Sequence, residues 1–522
     1  MKKIKIIYLF LALGVLGSCE RTFLDVNSDP NSPTDANITS DLLLPSAMLK
    51  TGTFTTASGR GTFGTFARWC GIWSPSADYA SGEESKYLRQ ASTSNGTWFS
   101  LYDQNNEFKS IENKSKANGE TFYQGIALIM QSLNYQMAVD MFNDIPYSQA
   151  LNPSVIAPKY DKAEDVYLDL LKKIDQGITL IKAADEAKNF NLSNGDILKS
   201  STSLNTAANR KLKWAKFGNT LKLRLLIHMS QMPNINALAA TEIAKINAEG
   251  SGYINAGETM GANPGYTVSK PNPFWSSFIY DQAGNFSQTF NRANNFSLNI
   301  MKGLNDERYK YFYKPVAGTT GTLPTHWVGI DYAITNSDPT KRASVTSDIG
   351  GASSASGGTT GLGKSATMNS WIITASESLF LQAEAKARGW NVTGTASALY
   401  QSGVAESFSW LGVPSAASVA ATYLTSPDPR VAFGSTLTDN LRAIAWQKYF
   451  AFNGNTLLEV WNDYRRLDIV NLPLSTDPGR GTNPIPVRLP YPQTELDFNT
   501  ANVNASGGGS ISIYTSKIFW DR

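Results

Sequence analysis

Two histidines, two cysteines and a pair of glutamates seven residues apart are the groups in this 522-residue chain best suited to chemistry. On a helix, Glu377 and Glu384 would project from nearly one face, about 10 Å apart along the axis. That exceeds the roughly 5–9.5 Å between the two carboxylates of a glycoside hydrolase. A structural role fits these residues better, as buried acids paired with Arg465, Arg466 or Lys448. Asp281, Asp306 and Glu307 are looser acid candidates. His228 falls on an apolar helix stripe and reads as a core histidine, while His326 adjoins Trp327 in a loop. The sequence contains no HExxH, CxxC, Walker lysine or GxSxG motif. No catalytic residue, metal ligand set or cofactor is therefore expected.

Acyl chemistry is legible at the start. Lys2, Lys3 and Lys5 precede the apolar run Ile6 to Val15, which is too short to span a bilayer as a stable helix. Leu16-Gly17-Ser18-Cys19 then reads as a lipobox. Residues 1–18 are thus a lipoprotein signal peptide, and Cys19 is the lipidation site whose thiol receives diacylglycerol. A further acyl chain on the new terminal amine gives a firm membrane anchor. Residues 19–40, rich in Asp, Asn and Pro, form a tether, and 41–522 form a single domain. With Cys19 lipidated, Cys70 is the sole remaining thiol, a small buried hydrophobe that excludes an internal disulfide.

A net charge of +3, with only 17% charged residues, offers no nucleic-acid footprint. Twelve tryptophans make aromatic surface the stronger resource. Trp214, Trp371, Trp390, Trp410, Trp446 and Trp461 lie in or beside helix stripes and belong to the core. Trp73, Tyr79, Trp98, Tyr102, Trp275, Tyr280, Trp327 and Tyr332 lie off those stripes, and Trp73, Tyr79, Trp98, Trp275, Tyr280 and Trp327 are the candidate ligand-binding residues. Sugar C–H faces stack on such rings, while neighbouring Ser, Asn, Gln and Asp satisfy hydroxyls.

Helices must hold these groups in place. Phe122, Ile126, Ile129, Leu133, Met137 and Met141 form one stripe, and Val166, Leu170, Ile174, Ile178 and Ile181 another, opened by an Asp161/Glu164 capping box. Trp214 to His228 and Ala237 to Glu249 follow. Helices are also expected at 371–388 (ended by Gly389), 393–411 (capped by Thr395), 437–453 and 455–466, making four consecutive pairs. Residues 41–120, after an initial helical LLLPSAMLK, read as irregular, and 250–370 as non-helical. Ser347 to Gly363 reads as a mobile loop, and 483–504 as extended chain before a docked C-terminus.

ITASESLFLQAEAKARGW with ALYQSGVAESFSWLG resembles the SusD/RagB family of nutrient-binding outer-membrane lipoproteins. So do YQGIALIMQSLNYQMAVDMFNDIPYSQAL, PKYDKAEDVYLDLL, WAKFGNTLKLRLLIHMS and AWQKYFAFNGNTLLEVWNDYRRLDI, in the family's order. The resemblance implies a mainly α fold: tetratricopeptide-like helix pairs (121–249 and 371–466) in a right-handed scaffold, with a loop-rich ligand-binding insertion (250–370). It implies a non-enzyme on the outer face of the outer membrane, lidding a SusC-like TonB-dependent barrel. The cargo would be oligosaccharides, or peptides in RagB-like members. The family's ligand residues follow no motif, so none is transferred.

Overall fold

A computed structural model describes residues 38–57, 61–80, 82–200, 206–319, 321–333, 338–350 and 357–521. Cys19, the signal peptide and most of the tether lie outside the described residues. From Ser40 onward the chain is one compact unit and mostly helical. None of its described helices is long and apolar enough to cross a membrane.

The helices used below are α1 (Ser40–Ala57), α2 (Thr62–Trp69), α3 (Asn95–Asn118), α4 (Thr121–Phe142), α5 (Ala163–Lys182), α6 (Ala207–His228), α7 (Ile235–Glu249) and α8 (Asn295–Gly303). After them come α9 (Ala375–Ala387), α10 (Ala396–Trp410), α11 (Ala416–Tyr423), α12 (Leu437–Ala451) and α13 (Leu457–Leu467). Helix α4 is the spine. Every residue from Phe122 to Phe142 is buried, as a helix apolar on most sides requires, with α3 and α5 packed along it. From α5 the packing passes to α6, then to α9, and α9 in turn rests against α10 and α12. Helix α2 closes the end of the scaffold, where Phe66 stacks on Trp461 of α13 at 4.2 Å.

Close approach of α4 and α5 depends on two facing glycines. A Cβ on Gly125 would lie 2.5 Å from the Gly177 carbonyl oxygen and 2.6 Å from Ile181, and one on Gly177 would lie 2.9 Å from the Gly125 carbonyl oxygen. The helices would have to separate, so Gly125→Ala should destabilise by roughly 1–3 kcal/mol despite alanine's better helix propensity. Urea denaturation checks this, and a neutral or stabilising outcome would contradict the packing.

Local chemistry differs from the sequence expectation in several places. Helix α9 starts at Ala375, capped by Thr374, because Ser370–Ile373 is a strand (β7) in a three-stranded antiparallel sheet with Leu198–Lys199 (β4) and Met260–Ala262 (β5). Its end is as expected, with Gly389 following at φ +85°. Thr395 caps α10 by accepting the Ala398 amide. Asp161 does not cap α5; it sits on the short strand β3 (Tyr160–Asp161) and accepts the amides of Tyr147 and Ser148. Asp144 supplies the cap instead, accepting the Ala163 amide at 2.9 Å and pairing with Lys162.

The stretch 41–120 is not irregular but largely helical, in α1, α2 and the 24-residue α3. The region 250–370 also carries α8 and a further helical turn, Tyr309–Phe312. Of the glycine- and serine-rich segment, 351–356 lies outside the described residues, while Ser347, Ile349 and Leu362 beside it are buried. Residues 493–498 and 500–505 are short helices rather than extended chain. The C-terminus docks, with Ile518 and Trp520 fully packed.

Candidate functional site

The acidic residues that could have formed a hydrolytic pair are locked into a buried ionic chain between helices. Glu384 accepts from Arg466 Nη1 at 2.5 Å and Nη2 at 2.8 Å, with Arg388 also at 2.8 Å. Burial raises the Glu384 carboxyl, but Arg466 and Arg388 outweigh it and hold the group well below the usual carboxylate range. Glu377 pairs with Arg224 at 2.6 Å, a partner not among those expected. Lys448 pairs instead with Asp463, at 2.6 Å. Arg465 is given over to backbone carbonyls of Asp140 and Val487 and lies 3.6 Å over the Trp461 ring.

His228 is part of the same chain. Its Nε2 is 2.8 Å from Glu459 and its Nδ1 3.4 Å from Asp140, with Tyr167 hydrogen-bonded to both Nδ1 and Asp140. Asp140, His228 and Glu459 bring their ligating atoms within 4.8 Å of one another. With each ring nitrogen facing a carboxylate, His228 is best described as an imidazolium bridging two acids, not a neutral ring offering a metal a lone pair. The hollow that reaches Glu459 and Arg224 is about 30 Å³, room for a water or two and not for a sugar ring. Cys70 is buried, and that burial pushes its thiol up, away from nucleophilic character.

Of the aromatic residues read as loop-borne, the structure buries most. Trp73 lies on β1 (Trp73–Pro75), paired antiparallel with β6 (Asn291–Ala293), its ring against Phe278. Trp98 belongs to α3 and packs between Tyr102, Phe142, Tyr160 and Tyr491. Trp275 and Tyr280 are buried against one another, and Trp327 is buried with its indole N–H on the Tyr313 carbonyl at 2.9 Å. Tyr332 is also buried, its hydroxyl 3.2 Å from Glu84, and Tyr102 donates to the Pro146 carbonyl. These rings anchor the loops from beneath, so the premise that they present free faces is corrected. Tyr79 is the exception at 42% exposure. Its hydroxyl is 2.7 Å from the Thr289 hydroxyl, and its ring meets Phe290 edge-on. His326 is half-buried, with Nδ1 near the Gly321 carbonyl oxygen.

A polar groove of about 480 Å³ opens between α2, the start of α3 and the segment leading into it. Arg68 forms its floor. Its guanidinium lies under the Phe290 ring, bonds both oxygens of Glu84 and donates to Asn291 at 2.8 Å. Thr65 also donates to Glu84, at 2.7 Å. Arg89 forms one wall, with Thr62 and Thr97 hydroxyls beside it. A second depression of about 590 Å³ continues from the groove between α1 and α3, past Lys50 and Asp103. A further cleft of about 620 Å³ beside Leu304 and the end of α11 has no comparable cluster of buried charge. None of Arg68, Glu84 or Arg89 was picked out from sequence. The available signal was Arg68 inside TFGTFARW, a charge in an otherwise apolar helix, which must find a partner.

The groove is built wholly by residues 54–100, ahead of the helix pairs, and not by the 250–370 region expected to carry the ligand. The family model described as SusD-like, starch-binding and associating with the outer membrane, matches residues 30–492. The chain belongs to that SusD-like family. No curated protein matches it in sequence. Among solved structures it is similar to a SusD homolog from Bacteroides fragilis, with a TM-score of 0.72 at 18% identity over 92% of this chain and 100% of that one. A chitin-binding SusD homolog from Flavobacterium johnsoniae gives a TM-score of 0.71 at 21% identity, covering 91% and 98%. For a SusD homolog from Bacteroides uniformis the values are 0.67 and 22%, covering 92% and 99%.

Proposed function

We propose that this chain is a cell-surface nutrient-binding lipoprotein, anchored by lipids on Cys19, that captures oligosaccharides and passes them to a SusC-like TonB-dependent barrel in the outer membrane. The observation that carries the proposal is the contrast between the two places where chemistry could occur. The acidic chain is neutralised and enclosed, which suits a scaffold and not a hydrolase. The groove over Arg68 is open and lined by hydroxyls, two guanidinium groups and the Glu84 carboxylate, and the exposed Tyr79 ring packs on Phe290, the ring that covers Arg68. Family membership and a chitin-binding relative of the same fold support a glycan as cargo.

Calorimetry of the soluble chain against chitin- and starch-derived oligosaccharides tests this, with mass spectrometry on the incubated mixtures. Tyr79→Ala should weaken binding roughly five- to ten-fold, about 1 kcal/mol, because one stacking face is lost. Melting should be nearly unchanged, since the ring contributes little to the core. The oligosaccharides should be recovered intact. Cleavage products that vanish in Glu377→Gln would overturn the binding-protein reading in favour of an enzyme.

A further inference from the structure

Arg89 is a cation without an anion. Its Nη2 donates to the Thr62 hydroxyl at 3.0 Å and its Nη1 reaches the Thr65 hydroxyl only at 3.5 Å, while its Nε is buried with no partner. No carboxylate among the described residues forms an ion pair with it. Glu84 is the nearest acid in electrostatic terms, but both its oxygens are occupied by Arg68, with Thr65 and Tyr332 adding further bonds. Along the neighbouring depression, Asp103 and Glu107 both pair with Lys50 at 2.6 Å. Within the groove itself Arg68 is set against Glu84, which leaves Arg89 as the cation with no ion-paired acid of its own.

That arrangement is costly unless something completes it. Burial pushes the Arg89 guanidinium down to about 10, with the Glu84 carboxylate opposing the shift and the Arg68 charge adding to it. A half-buried arginine with its Nε enclosed and only hydroxyls as direct partners is poorly compensated. The surroundings favour an incoming anion. Thr93, Thr97 and Ser100 supply hydroxyls along the same wall, and above Gly96 the space is open, since a Cβ there would meet nothing within 4 Å. The 24-residue helix α3 begins here with no side-chain cap, so its positive end adds to the field of Arg89. A planar guanidinium with free donors fits two oxygens of one acidic group.

We propose that the groove selects oligosaccharides carrying an acidic substituent, a uronate carboxylate or a sulfate ester, chelated by Arg89 while neighbouring hydroxyls hold the ring. This deepens the glycan-binding reading and rests on it. The family description and the chitin-binding relative concern uncharged glycans, so the inference separates this chain from them by charge.

The test is calorimetry of wild type, Arg89→Gln and Arg89→Lys against three probes: a neutral chito-oligosaccharide, an oligogalacturonate, and a sulfated oligosaccharide of similar length. Wild type should prefer one or both acidic probes over the neutral one by ten-fold or more, with affinity falling as salt rises. Arg89→Gln should abolish that preference. Arg89→Lys should retain part of it, which shows that loss in the glutamine variant reflects charge and not misfolding, and melting curves accompany each variant. Whichever acidic probe binds more tightly identifies the anion. Equal binding of all three probes, or an Arg89→Gln variant that keeps the preference, overturns the acidic-glycan inference and leaves the glycan reading standing. Binding of none of the three overturns both.

Discussion

Arg466→Met should cost about 3–5 kcal/mol of stability, one of the two largest effects expected from a single substitution here, because it leaves Glu384 charged and enclosed. Both side chains are inaccessible to solvent, and both Arg466 nitrogens contact the carboxylate, while Nη2 also reaches Asp463 at 2.8 Å. The remaining partner, Arg388, approaches a single oxygen from near the end of α9, so it compensates only in part. Denaturant melts of Arg466→Met, Glu384→Gln and the double variant separate the pair from its surroundings. The double variant should be less destabilised than the sum of the singles, since neither member is then left unpaired. An Arg466→Met protein within 1 kcal/mol of wild type would mean that this bridge between α9 and α13 is not holding them together.

The same bridge shows what sequence could and could not reveal. Seven-residue spacing placed Glu377 and Glu384 on one helix, and basic residues in the last helix pair were the natural partners for Glu384. Arg224 was missed as the partner of Glu377, because nothing in sequence places α6 beside α9. Helices with clean apolar stripes, such as α4 and α5, were legible in type and nearly in extent. Helix α3 was not. Its inward positions include Thr97, Gln104, Asn105 and Ser115 between Trp98, Leu101, Phe108 and Ile111, so the apolar period is diluted by buried polar groups.

The aromatic platform failed for a related reason. A rigid loop needs its own core, and Trp73, Trp275 and Trp327 are that core, so a large ring off a helix stripe is not thereby exposed. Tyr79 and the Arg68–Glu84–Arg89 cluster are brought together by residues as distant in sequence as Phe290. Such proximity leaves no local pattern to read.

His228 gives the fold a stability that fades in alkaline solution. The ring is 1% exposed. Burial lowers its affinity for a proton, but Glu459 and Asp140 raise it more, to about 9 from an ordinary 6.5. A group bound more tightly to its proton when folded stabilises the fold fully below its unfolded value. That contribution is lost as pH rises through the folded value, here between about 6.5 and 9. The difference corresponds to about 3 kcal/mol. Desolvated lysines lean the opposite way at the alkaline end: burial depresses Lys213, Lys173, Lys314 and Lys364, so each disfavours the fold less as it loses its proton. The informative quantity is therefore the gap between wild type and His228→Gln, in which those groups cancel. The glutamine variant leaves Glu459 and Asp140 without the imidazolium, so it should be less stable than wild type at pH 6. By pH 9.5 the wild-type ring has itself lost its proton, and the gap should narrow by about 3 kcal/mol. Urea midpoints measured from pH 6 to 9.5 on both proteins check this. A gap that stays constant across that range would show that His228 is neutral in the fold and bridges the two carboxylates by hydrogen bonding alone.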